Sequence, residues 1–137
     1  MLKILIVLIF VTLVSSSLPP QNPVIGIFTL PDKSDEPTLD QPYKTNEASN
    51  NLSYFAASYV KYVQMSGAQV VPIFAFSNTS YLDSILSQIN GVLFTGGGTY
   101  INIDNHWTQN ADYILKYAIE QNRRGNPYPI WGTCLGF

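Results

Sequence analysis

Along this chain, short apolar runs take turns with stripes of apolar residues at helical spacing. Val24, Ile25, Ile27 and Phe28, set around Gly26 within Pro23 to Leu30, predict a first buried strand stopped by Pro31. Leu52, Phe55, Ala56, Tyr59, Val60 and Val63 then recur as one face of a helix, with Asn50 or Asn51 as its cap and Gly67 just past its end. Val70 to Phe74 predicts a second strand, and Pro72 inside it points to a sheet edge or a strand end. Ser80 stands three residues before Asp83, a capping-box spacing, and Leu82, Ile85, Leu86 and Ile89 form the stripe of a second helix. Gly91 to Phe94 predicts a third strand that runs straight into Thr95-Gly96-Gly97-Gly98. Ala111, Ile114, Leu115, Ala118 and Ile119 mark a third helix, favoured at its end by Arg123 and Arg124 and closed by Gly125. Pro129, Ile130 and Trp131 make a fourth short strand before Gly132.

Strands alternating with helices predict an α/β fold, a parallel sheet with helices on both faces joined by right-handed crossovers. In such sheets ligands bind beyond the carboxyl ends of the strands. The glycine triplet and Cys134 both fall at such ends. The polar stretch from Asp32 to Asn50, nineteen residues, is long for a loop in a compact domain and predicts a site-covering loop or a mobile insertion.

Composition narrows the classes. A chain of 137 residues with 46% apolar content suits one domain with a real core. Seven Lys and Arg against nine Asp and Glu give a net charge of −2, with no basic run to neutralise a phosphate backbone, which argues against nucleic acid as a partner. Lys3, the apolar run Ile4 to Val14 and the small residues Ser15 to Ser17 have the grammar of a secretory signal peptide, with cleavage expected after Ser17. The expected organisation is therefore a leader over residues 1–17 and one domain over 18–137, not bound to a membrane once the leader is removed. Asn51-Leu52-Ser53 and Asn78-Thr79-Ser80 are N-glycosylation sequons that fit this route.

Secreted chains usually pair their cysteines, yet this one contains a single Cys, which leaves a buried inert thiol, a partner for a cysteine elsewhere, or a nucleophile. Gly132-Thr133-Cys134-Leu135-Gly136 has the form of a nucleophile elbow, with Cys in the middle position. A helix beginning just after Cys134 would lower the thiol pKa. An acyl-transfer site needs N–H donors for the developing oxyanion: Leu135, next after the nucleophile, is one, and the Gly96-Gly97 loop offers a second. No Gly-Lys-Ser/Thr follows the triplet, so nucleotide binding is poorly supported. The only histidine, His106, reads as a solvated loop residue, with Asp104 as the one nearby carboxylate available to orient it as a base. No metal cluster is visible, and the chemistry needs no cofactor.

Four blocks resemble the γ-glutamyl hydrolases: Pro23-Val24-Ile25-Gly26-Ile27, Ala56 to Tyr62, Ile89 to Phe94 with the glycines after it, and Pro129-Ile130-Trp131-Gly132-Thr133-Cys134-Leu135-Gly136-Phe137. The resemblance runs from Pro23 to the end and is most specific in the last block. It implies a class I glutamine amidotransferase-like fold, related to the flavodoxin-like sheets, and hydrolysis of the γ-glutamyl bonds of folate poly-γ-glutamates in lysosomes or outside the cell. It also implies that Cys134 is the nucleophile, that Leu135 with Gly96 and Gly97 forms the oxyanion hole, and that Tyr59 matches a tyrosine of the family's helix motif, here a candidate substrate-binding residue. Two departures stand out. Phe94-Thr95-Gly96-Gly97 replaces the family's frequent Phe-Pro-Gly-Gly, and the family's catalytic His and its acidic partner lie downstream of the nucleophile. The fold is thus expected to be incomplete at its C-terminus and the 137 residues alone to be inactive or nearly so. A related γ-glutamyl amide hydrolase or glutaminase, and a non-catalytic secreted module, are the rival readings. Whether the chain forms a homodimer stays open.

Overall fold

The computed structural model describes residues 22–32 and 52–137. The leader, Asn51 and all of the long polar stretch after Asp32 lie outside them.

Four parallel strands build the main sheet: β1 (Val24–Phe28), β4 (Gln69–Ile73), β5 (Gly91–Phe94) and β6 (Ile130–Gly132), in the order β4-β1-β5-β6. The register runs Gly26 to Val71 on one side and Gly26 to Val92 on the other, and Leu93 pairs with Trp131. Three helices make the crossovers, α1 (Ala57–Met65), α2 (Thr79–Leu86) and α3 (His106–Arg123). Side chains alternate across each strand, so Phe28, Ile73, Val92 and Phe94 meet α2 and α3, whereas Ile27 and Leu93 meet Val63 of α1. Helices therefore cover both faces, as the alternation predicts. Pro72 sits in the edge strand β4, where its missing N–H costs the sheet least. Among the described residues, no helix is long and apolar enough to cross a membrane.

The structure corrects several local expectations. The first helix begins at Ala57, not near Leu52, so neither Asn50 nor Asn51 caps it. Its N-cap is Ala56, without a side-chain cap. The residues before it are drawn into a second, antiparallel pair, β2 (Leu30–Pro31) with β3 (Ser53–Tyr54), closed by the Asp32 N–H donating to the Leu52 carbonyl (2.9 Å). Leu52 is left exposed, and Pro31 continues in this pair instead of ending the chain's extended path. Asn78, not Ser80, caps α2. Asp83 is turned instead toward α3, where the Tyr113 hydroxyl donates to it. On α3 the buried stripe is Trp107, Asn110, Ile114 and Ala118, while Leu115 and Ile119 face solvent. Gly67 (φ 84°) and Gly125 (φ 82°) stand where expected, just past the ends of α1 and α3.

Candidate active site

Two loops meet at the carboxyl edge of the sheet. The first leaves β5. Its buried Thr95 donates through the hydroxyl to the Phe28 carbonyl (3.3 Å), which ties the loop to β1 where the resemblance would place a proline. Gly96 follows, and its N–H donates to the hydroxyl of Tyr59, in the first turn of α1 (2.8 Å). A side chain on Gly97 would run into Leu30, so the loop is seated against the β2–β3 pair.

The second loop leaves β6. Thr133 donates its N–H to the Phe94 carbonyl (3.1 Å), which holds the chain beside β5 for one residue past the strand. The backbone then turns sharply. Cys134 takes φ 53°, the left-handed region that a side chain enters at a cost on the order of 1 kcal/mol. Cys134–Gly136 forms one turn of 3-10 helix, closed by bonds from Gly136 N–H to Thr133 (3.0 Å) and from Phe137 N–H to Cys134 (3.1 Å). Both glycines of the motif are required by close approach: a Cβ on Gly132 would strike the Gly136 carbonyl, and one on Gly136 would strike that of Phe94. The result is an exposed, free thiol on a strained elbow.

The two loops touch. A Cβ built on Gly96 would lie 3.0 Å from the Cys134 Cβ and 2.9 Å from the Tyr59 hydroxyl. The sequence-predicted residues Cys134, Leu135, Gly96, Gly97 and Tyr59 therefore share one edge of the fold. Leu135 lies in the first turn of the 3-10 helix, where backbone N–H groups have no partner within the helix. His106 is not part of this cluster. It opens α3 and stacks on Phe76 (centroids 6.4 Å apart), in the segment that follows the edge strand β4. Among the described residues, no hydrogen bond or ion pair joins it to Asp104, and no group of three or more metal-binding side chains occurs. Thr95 and Thr133, which hold the loops in place, carry no site signal in the sequence: each acts through one long-range hydrogen bond that leaves no trace in spacing.

A thiol on a strand-to-helix turn, set against a glycine loop at the carboxyl edge of a parallel sheet, is a nucleophile-elbow arrangement, here on an α/β fold of the glutamine amidotransferase-like class. The profile of the family Peptidase C26 matches residues 23–137, and the chain belongs to that family. It is 39% identical over 115 residues to gamma-glutamyl hydrolase B of Dictyostelium discoideum, covering 84% of this chain and 30% of that protein. Gamma-glutamyl hydrolase of Mus musculus is 42% identical over 84 residues (61% of this chain, 26% of that protein). Gamma-glutamyl hydrolase 1 of Arabidopsis thaliana is 36% identical over 122 residues (85% and 30%). The chain thus spans less than a third of the length of these curated relatives.

Proposed function

We propose that this chain carries the nucleophile-bearing part of a cysteine hydrolase that cleaves γ-glutamyl bonds, with folate poly-γ-glutamates as substrate. The observation that supports this best is the left-handed Cys134 placed against the glycine loop. In the first step the Cys134 thiolate attacks the γ-carbonyl carbon, and the carbonyl oxygen gains negative charge. The Leu135 N–H and one N–H of the glycine loop hold that oxygen. Because the Gly96 N–H is given to Tyr59, the loop donor in this reading is Gly97, and Tyr59 sets the position of the loop. Collapse of the intermediate expels the amine, which takes a proton from the base, and leaves a thioester. Water gives a proton to the base and attacks the thioester carbonyl; the C–S bond breaks, the γ-carboxylic acid leaves and the Cys134 thiolate is restored. The base is the histidine, with its acidic partner, that the resemblance puts downstream of the nucleophile. His106, which stacks on Phe76, does not take this part in this reading.

The leader over residues 1–17 belongs to the same reading. It directs the chain into the secretory pathway, to lysosomes or the cell exterior, where the sequons can be used. The test is turnover of pteroyl-γ-glutamyl peptides by the full-length protein. Cys134→Ala is expected to lower it by at least about 10⁴-fold, in the range seen when a catalytic nucleophile is removed. Undiminished turnover would sink the assignment.

A further inference from the structure

We propose that Asn78 carries an N-linked glycan and caps helix α2 at the same time, the two tasks falling on different atoms of one amide. The proposal rests on the secretory reading above. Asn78-Thr79-Ser80 is an acceptor sequon whose three residues are all exposed. Asn78 is the N-cap of α2 (φ −80°, ψ 164°), and its Oδ1 accepts the Tyr81 N–H at 2.8 Å. A backbone N–H can be met only by the oxygen of an amide, so the partner itself decides which atom caps. Nδ2, the atom to which sugar is attached, takes no part in the cap.

In the transfer, Nδ2 attacks C1 of an oligosaccharide joined to a lipid diphosphate. The Nδ2–C1 bond forms, the bond from C1 to the diphosphate oxygen breaks, the lipid diphosphate leaves with the bonding pair, and Nδ2 gives up one proton. The side-chain carbonyl is unchanged, so Oδ1 still accepts from Tyr81. The finished fold can hold the product because Asn78 faces solvent. It also keeps the sugar clear of the thiol. Asn78 follows the edge strand β4, three strand spacings from β6, or roughly 14 Å to the side of the elbow.

The full chain is expressed in a eukaryotic secretory host, and its intact mass is compared before and after enzymatic removal of N-glycans. Asn78→Asp keeps a capping oxygen but no acceptor nitrogen, Ser80→Ala breaks the sequon but keeps the cap, and Asn78→Ala loses both. One glycan is expected to vanish in all three variants. After deglycosylation the melting midpoint should stay at the wild-type value in Asn78→Asp and Ser80→Ala, and fall by several degrees in Asn78→Ala. Unchanged glycan mass in Ser80→Ala overturns the acceptor role, and an unchanged midpoint in Asn78→Ala overturns the cap. Residues 18–137 behind the leader of a known secreted protein separate the two ways of failing. Absence of sugar there overturns the modification itself. Sugar there with none on the native chain overturns the secretory reading, and with it the modification of the native protein.

Discussion

The Tyr59 hydroxyl joins the first helix to the glycine loop, accepting the Gly96 N–H at 2.8 Å. Removing it leaves the Gly96 N–H without that partner and releases the loop from α1. A lost direct oxyanion donor costs about 10²–10³ in turnover. In the proposed mechanism Tyr59 acts one bond further back, so Tyr59→Phe in the full-length protein should lower kcat by roughly 10-fold, the equivalent of one ordinary hydrogen bond. KM should stay near its wild-type value, because the oxyanion exists only in the transition state. A KM that rises while kcat holds would instead make Tyr59 a substrate-binding residue. The hydroxyl's partner could not be read from the sequence: Tyr59 and Gly96 are 37 positions apart, and no periodicity links a helix face to one particular loop amide.

At the scale of elements, α2 and α3 are bound to each other and to the start of β6 through tyrosines. Tyr128, buried just before β6, donates its hydroxyl to the Leu86 carbonyl at the end of α2 (3.1 Å) and packs edge-on against Tyr117 of α3. Burial, with Tyr117 adding to it, drives the Tyr128 pKa well above the ordinary tyrosine value. Tyr113 is raised in the same sense by its hydrogen bond to Asp83. A tyrosine whose pKa rises on folding holds its proton more tightly in the folded state. Its contribution is therefore complete below about pH 10, the ordinary value, and is lost as the pH climbs toward the folded value. Urea unfolding measured from pH 7 to 11 should show stability falling above about pH 10. Tyr128→Phe should flatten that fall while costing about 1 kcal/mol at pH 7 through the lost bond to Leu86. An equally steep alkaline loss in the variant would remove Tyr128 from the account. The helices themselves were legible because their stripes are local, whereas the cap of α2 was not. Asn78 and Ser80 both suit an N-cap, and only the bond from Tyr81 to Asn78 separates them.

Across the whole molecule the two faces of the sheet are unequally covered. Among the described residues, the face carrying α2 and α3 holds the larger core, whereas α1 alone shields the other over β4 and β1. Beside α1 this leaves an apolar groove of about 280 Å³, lined by Ile25, Tyr62, Val63, Leu93 and Trp131 among others. Trp131 is 62% exposed there, while Trp107 is 4% exposed and donates its indole N–H to the Thr29 carbonyl. The two tryptophans should therefore separate in a quenching experiment. Acrylamide is expected to quench a red-shifted component that Trp131→Phe abolishes, leaving the blue-shifted, protected emission of Trp107. Equal quenching of both would contradict this arrangement of the sheet.

The sequence by itself determined the order of strands and helices, the parallel α/β class and the elbow, because each is written in residues at most a few turns apart. Apolar runs, helical stripes and the Gly-x-Cys-x-Gly spacing all act locally. Only the tertiary structure decided which apolar positions are covered, as Leu115 and Ile119 show by facing solvent although their spacing fits the apolar stripe of the helix. It alone drew Ser53 and Tyr54 away from the first helix to pair with Pro31 and Leu30, and set Gly96 between Tyr59 and Cys134. Such choices depend on which surface lies opposite and on hydrogen bonds between residues far apart in the chain, and these exist only once the elements have packed.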